Sequence, residues 1–490
     1  MRKPIPLGGQ SRDYHSRLSR EQVINAYIQI NKDGSFKRIS GTPGFTHSIT
    51  LGTGPIRCTH IAAGVLYVVS GNEFYRVGVA ANGGINATLK GEVAGFNGPC
   101  TMDSIGTDFP QVMALTNGRG FIYDTSTDLL TEVTDVDFTP DYSVASFNGR
   151  FWFNKPDSNE FFASDILDGF VYDPLFFASA ENNPDKLAYI LAVGTELVLM
   201  GTQSIERWQD IGITTGFYMR RITGGTISRG VGARASVVQW ENTVFWLADD
   251  FTVRMLSGGQ MQKISDLALD LDVQSYNFPE RAYGKFIDSP YYKCYCITFP
   301  GNDVEWCYDV MTGAWHQRDS IGVDGWRISD CAIIFNQVYL GDKLNGNLYI
   351  MERDVYTENG STMAMTVRTP PIGNFEAPIT VSRLELIADV GVGLISNQIP
   401  GLTNNTGGPI YSNEPIVPKI GLKVSRDGGK NWRIMPDRAL GQIGNYMQKV
   451  IWRALGRVRR TDSMMFEFTI TDPVERNLYK AEIDTEVGVV

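Results

Sequence analysis

The 490-residue chain has little of what metalloenzymes and histidine-based hydrolases are built from. It holds four histidines, His15, His47, His60 and His316, with no HxH, HExxH or Cys/His cluster, so zinc sites and histidine general bases lack their parts. No GxSxG elbow offers a serine nucleophile. Gly224-Gly225 and Gly258-Gly259 are not followed by the Lys-Ser/Thr of a phosphate-binding loop. The six cysteines, Cys58, Cys100, Cys294, Cys296, Cys307 and Cys331, are too few and too scattered for a disulfide scaffold, so reduced thiols are expected. Cys294 and Cys296 share a strand face, with Cys307 on the following strand, and are expected to be buried structural thiols rather than a metal site. No catalytic residue, cofactor or metal is expected, and the chain is read as not an enzyme.

Basic excess is missing too. With 44 Lys and Arg against 54 Asp and Glu the net charge is -10, which excludes gripping nucleic acid over a broad surface, because such binding neutralises phosphates with cations. It does not exclude DNA passing nearby. Nowhere do about 18 apolar residues run together, and Met1 to Gln10 contain no apolar core of a signal peptide. Neither a membrane segment nor a leader is expected, and folding in the cytoplasm follows.

What the chain does have is aromatics and glycine: 9 Trp, 21 Tyr, 25 Phe and 51 Gly, the strand formers and turn residues of an all-β protein. They are organised by a repeat. Alternating apolar strands centre on Tyr67, Met113, Trp152, Val198, Phe245, Tyr295 and Tyr339, at steps of 46, 39, 46, 47, 50 and 44 residues. Each is bounded by tight-turn residues such as Ser70-Gly71-Asn72, Asn117-Gly118 and Pro300-Gly301-Asn302. A period of about 40 to 50 residues is that of a four-stranded propeller blade, whose oily faces are buried only against neighbouring blades. A β-propeller of six or seven blades is expected over residues 55–358, with residues 1–54 as a lead-in that closes its first blade.

After Asp354 the period lapses. Strand-like alternation at Thr362 to Thr369, Val381 to Val390, Ile420 to Arg426, Val450 to Val458 and Met464 to Thr471 predicts a smaller β-sandwich-like domain over 359–490. It carries a long aperiodic loop over 394–418, a contact arm or a disordered segment. A short helix is expected over Ile264 to Tyr276, capped near Ser265-Asp266 and presenting Asp266, Asp270 and Asp272 as a solvated face.

Ser425-Arg426-Asp427-Gly428-Gly429-Lys430-Asn431-Trp432 matches an Asp-box turn, with Asn431 where Thr is usual. Asp427 is expected to bind turn amides, Gly429 to take a positive φ and Trp432 to pack under the hairpin, a folding device built on Ser425, Asp427, Gly429 and Trp432. Asp boxes also recur in sialidase propellers, so a sugar-binding or glycosidase component is an alternative, although no carboxylate pair is singled out by spacing. Cys307-Tyr308-Asp309 through Trp315 resembles a kelch blade ending, which leaves a kelch-like interaction adaptor as a further alternative. The densest basic run, Trp452 to Arg460, presents Arg453, Arg457, Arg459 and Arg460 as candidate contacts to an acidic partner or phosphate.

That basic strand, continued by Thr469-Ile470-Thr471-Asp472-Pro473-Val474, resembles the C-terminal signature of the packaged DNA stabilization proteins of P22-like short-tailed bacteriophages. Gly201-Thr202-Gln203-Ser204-Ile205-Glu206 and Arg229-Gly230-Val231 are similar to two further motifs of that family, in the same order. The resemblance implies a tail hub or nozzle protein of the virion, assembled in the host cytoplasm as a homo-hexameric ring beneath the portal and its adaptor ring. It implies that the ring extends and closes the DNA channel, stabilises packaged DNA that passes without sequence-specific binding, and carries the tail needle and tailspikes. No catalytic residue is transferred by it.

Overall fold

The computed structural model describes residues 2–7, 21–79, 85–180, 185–213, 216–373, 377–395, 415–459 and 462–487. Among the described residues seven four-stranded antiparallel blades follow one another around an axis, five as separate sheets and the last two as parts of larger sheets of nine and six strands. Their innermost strands are Ile56–Ala62, Cys100–Ile105, Val144–Phe147, Leu187–Val193, Val238–Trp240, Tyr283–Asp288 and Ile328–Ile334, which we number as blades 1 to 7. The apolar strands that set the sequence period are the second strands of the blades, from Val65–Ser70 to Gln337–Asp342. Both faces of these strands are covered, so they read as continuous apolar runs: Val112, Met113, Ala114 and Leu115 are all buried, as are Leu197 to Met200.

Seven apolar clusters fill the seven junctions between blades. Tyr67, Val69, Val112 and Tyr123 lie between blades 1 and 2, and Phe151, Phe153 and Ile122 between 2 and 3. Trp152 and Leu199 fill the next junction, Val198 and Trp246 the one after, Phe245 and Tyr295 that between 5 and 6, and Cys296 and Trp326 that between 6 and 7. Ile56, Leu66, Tyr339 and Leu348 pack blade 7 on blade 1, so the ring is closed.

The lead-in does not close the first blade. Its strand Gly44–Thr50 pairs antiparallel with Asn347–Glu352 and completes blade 7. The segments before it belong to the sandwich. Arg2–Ile5 pairs with Asn477–Val487; Ala26–Ile30 and Phe36–Gly41 extend that same sheet, whose far edge is Val450–Val458. The facing sheet runs through Met365–Arg368, Met465–Ile470, Lys419–Ser425 and Arg433–Ala439. Between the two sheets lie Val23, Ile39, Val367, Leu384, Leu422, Trp452, Phe466, Phe468 and Ile483.

One short strand welds the two bodies together. Gln22–Ile24 pairs in parallel with blade 6 at Gln317 and antiparallel with Met365–Arg368. Next to it, buried Asn25 (φ 51°) donates through Nδ2 to the carbonyls of Asp319 and Ala364, both at 3.0 Å, and accepts from the Asp319 N–H at 3.1 Å. Only asparagine, aspartate and glycine take such a φ readily. Of the 394–418 loop, Leu394–Ile395 pairs with Pro415–Ile416 at its base, and residues 396–414 lie outside the described residues.

The expected helix spans Leu267–Ser275, with the Asp266 carboxylate accepting the Leu269 N–H at 2.7 Å. Asp270 departs from the expected solvated face. It is buried, accepts from Ser265 at 2.5 Å and pairs with Lys263, tying the helix to blade 5.

Candidate functional site

The inner strands enclose a cavity of about 990 Å³ on the propeller axis. Because all seven run in the same direction, residues that begin an inner strand, and the turns between second and third strands, gather at one mouth. Tyr142, Tyr189, Tyr283 and Phe286 line the wall beside Thr59, Gln239 and Asp330. A second cavity of about 340 Å³ shares Met102, Val144, Tyr189, Val237 and Gln239 with it and adds Asp103, Ser146 and Ala192.

Carboxylates on this wall are used to clasp neighbouring blades. Asp330 of blade 7 accepts the Thr59 N–H at 2.6 Å and the Thr59 hydroxyl at 2.9 Å. Asp103 of blade 2 treats Ser146 of blade 3 alike, at 2.6 Å for the N–H and 2.9 Å for the hydroxyl. Burial raises the Asp330 carboxyl above the ordinary range, against those hydrogen bonds.

The same wall corrects the expectation of six reduced thiols. Cys58 and Cys100, 5.9 Å apart at Cα, form a disulfide between the inner strands of blades 1 and 2. Inner strands of adjacent blades run side by side, which places two residues distant in sequence at bonding range.

Of the free cysteines, Cys331 is half-buried on the inner strand of blade 7 and Cys294 is buried in blade 6, where Cys296 and Cys307 belong to a buried polar layer. Across four neighbouring strands, Lys285, Cys296, Cys307 and His316 stand directly opposite one another. Cys296 donates to the Cys307 sulfur at 2.9 Å, and burial first, then that neighbouring thiol, pushes Cys296 well above the usual thiol range. Cys296, Glu305 and Cys307 could together present three ligand atoms to a metal ion. The Lys285 ammonium, however, sits 2.9 Å from Glu305 Oε1, both side chains fully buried, and Thr298 donates to the other oxygen at 2.7 Å. With its charge compensated and the Cys296 thiol held protonated, the cluster is chemically a structural layer. Neutral His316 shares a 2.7 Å hydrogen bond with the Tyr292 hydroxyl; burial, then the Arg318 charge, brings its pKa down to about 3.

On the sandwich, Asp427 acts as expected of the Asp box. Its Oδ1 accepts the N–H groups of Lys430 at 3.0 Å and Asn431 at 2.9 Å, and the Ser425 hydroxyl at 2.8 Å. The Asn431 amide donates to Oδ2 at 2.6 Å, which explains why Asn serves where Thr is usual. The Asn431 N–H is the largest of the influences that lower the Asp427 pKa to about 2. Gly429 has φ 86°. Trp432 is only half-buried, with the Arg368 guanidinium 5.0 Å from its ring centroid.

Arg453 and Arg457 are exposed on the edge strand Val450–Val458, and Arg459 follows it, exposed; Arg460 lies outside the described residues. Ala454, at φ 57°, marks a bulge opposite Val381 to Arg383 that terminates simple alternation and twists this edge. On the adjoining face the charges are already matched, across strands for Arg2 with Glu385 (2.6 Å) and Glu482 and for Arg383 with Asp484 (3.5 Å), and within one strand for Arg383 with Glu385 (2.7 Å).

The chain is thus a seven-bladed ring joined to a β-sandwich, with the strand Gln22–Ile24 paired to both. Residues 4–356 match the family described as bacteriophage P22 Gp10, beta-propeller, and residues 365–486 the family described as bacteriophage P22 Gp10, beta-sandwich. The chain belongs to this family of phage structural tail proteins. No curated protein matches it in sequence. Among solved structures, virginiamycin B lyase from Staphylococcus aureus is similar over 62% of this chain and 97% of its own, at 10% identity and TM-score 0.42. The computationally designed Ika8 protein is similar over 63% and 99%, at 11% and 0.36. The extracellular domain of a hybrid two-component system from B. thetaiotaomicron is similar over 62% of this chain, at 10% and 0.41, and the chain spans 39% of its length. Likeness at this level carries no inference about function. Among the described residues no helix is long and apolar enough to cross a membrane.

Proposed function

We propose that this chain is a tail hub, or nozzle, that assembles in the host cytoplasm beneath the portal and adaptor ring after packaging. There it forms a homo-hexameric ring that extends and closes the DNA channel, stabilises the packaged genome and carries the needle and tailspikes. The observation that carries this reading is the match of both bodies of the chain, in order, to the P22 Gp10 family. The joint at Asn25 and the shared sheets are consistent with it, because a hub that bears distal parts has to transmit load between its two bodies without a hinge. Exposed Arg453, Arg457 and Arg459, on a strand whose bulge keeps it from pairing as an open edge, are the proposed contacts to an acidic partner surface. Heterologous side-to-side contacts that close by rotation would build the ring.

A nonsense mutation in this gene tests the reading. Heads that package normally, then lose their DNA and lack distal tail parts, are expected. Particles that stay full and complete would refute it.

A further inference from the structure

The mouth of the axial cavity reverses the sign of the chain's charge. Arg57 opens blade 1, Arg281 precedes blade 6 and Lys343 follows the second strand of blade 7, so three consecutive blades around the ring each place one cation there. Among the described residues none of the three forms a salt bridge. The Arg57 guanidinium donates to five carbonyls, those of Gly71 (3.0 Å), Ala94 (3.2 Å), Gly95 (2.8 Å), Gly98 (3.2 Å) and Pro99 (2.9 Å). Those acceptors fix its position and leave its charge unneutralised. Lys343 donates to the Asp324 carbonyl, and Arg281 stacks on the Phe278 ring at 4.6 Å.

Of the nearby carboxylates Asp324 also lines the mouth and acts on Lys343, while the others are paired with cations elsewhere. Asp324 accepts the N–H groups of Gly301 and Asp303, each at 2.6 Å. Asp342 holds Arg327 at 2.8 Å, and Glu305 holds Lys285. Desolvation lowers the pKa of both Arg57 and Lys343, the mark of positive charge withdrawn from water without a full counter-charge. Tyrosine and amide groups further down the wall offer hydrogen bonds to whatever enters.

From this geometry we propose that the axial cavity is a binding site for a small soluble polyanion, its phosphate or carboxylate groups held at the mouth by Arg57, Arg281 and Lys343. Cations lining a concave polar site are what such ligands require. The proposal does not depend on the tail-hub reading.

Calorimetric titration of the full chain at low ionic strength, with pyrophosphate and separately with citrate, tests it. One site per chain is expected for at least one of the two probes, and the tighter of them identifies phosphoryl or carboxylate as the group recognised. Arg281→Glu and Lys343→Met should each weaken binding about tenfold or more, as loss of a charge-assisted hydrogen bond does. Lys32→Glu, on the exposed sandwich turn, should leave it unchanged. Arg57 is left intact because it ties its loop together, and thermal melts of the two mouth variants establish that they are folded. Failure of both probes to bind at millimolar concentration, or equal binding by folded Arg281→Glu and Lys343→Met, would overturn the proposal.

Discussion

Replacing Lys285 with Met should unbalance blade 6 more than any surface change. The ammonium lies 2.9 Å from Glu305, both side chains fully buried, with Trp326 and Tyr283 rings at 5.3 and 5.5 Å. Burial is the largest single influence and lowers the lysine pKa, but the Glu305 charge, the Tyr283 and Cys296 groups and the hydrogen bond to Glu305 together outweigh it, leaving the group raised. Without Lys285 the Glu305 carboxylate keeps, among the described residues, only the Thr298 hydroxyl as a hydrogen-bond donor. Breaking such a pair from one side costs about 3 to 5 kcal/mol, whereas replacing both members with apolar groups is close to neutral. Equilibrium urea unfolding of Lys285→Met, Glu305→Leu and the double variant measures this. Each single variant should lose about 3 kcal/mol or more and the double variant much less than their sum. A Lys285→Met loss below about 1 kcal/mol, or additive losses in the double variant, would refute the reasoning.

His316 predicts an acid limb. Its folded pKa, down at about 3, lies below the unfolded value near 6.5, so the unfolded chain binds the extra proton between those values. Stability should therefore be fully present above about pH 6.5 and fall as pH drops toward 3, by at most about 1.4 kcal/mol per unit, and His316→Phe should flatten that slope in pH-dependent melts. Asn25→Ala removes three hydrogen bonds at the joint and places alanine at φ 51°. A loss of about 2 to 4 kcal/mol and faster proteolysis near residues 319 and 364 are expected, and a melt identical to wild type would contradict the weld. Non-reducing peptide mapping should recover Cys58 linked to Cys100. Their separation of 42 residues makes the link worth about 4 kcal/mol on the chain-entropy account, read as a lower melting temperature after reduction.

The propeller was legible because its second strands are dry on both sides, so their apolar runs repeat at the blade period whatever the surroundings. The inner strands were not. Cys100–Ile105 and Ile328–Ile334 carry Thr101, Asp103, Ser104, Ser329 and Asp330 because one face meets the axial cavity and their polar groups clasp adjacent blades. Such strands have neither an apolar run nor clean alternation. The lead-in was misplaced for a different reason: pairings such as Phe45 with Met351 and Arg2 with Asp484 are set by ring closure and sandwich assembly, which local periodicity does not encode. The amide-binding role of Asp427 was readable because its bonds are local. The cationic mouth was invisible, since Arg57, Arg281 and Lys343 share no motif and meet only through the fold.

The interleaving of the chain ends sets the order in which the protein can be made. At about 5 to 20 residues per second, Arg2 leaves the ribosome roughly 25 to 100 s before its partner Asp484. Strand Gly44–Thr50 waits roughly 15 to 60 s for blade 7. During translation the earliest strands therefore present unpaired edges, and no growing chain short of blade 7 can close the ring. Ring closure waits for blade 7 and sandwich assembly for Asn477–Val487, each with the slow rates of non-local β pairing. Nascent-chain aggregation, guarded by chaperones or by low temperature, is the production hazard this topology creates.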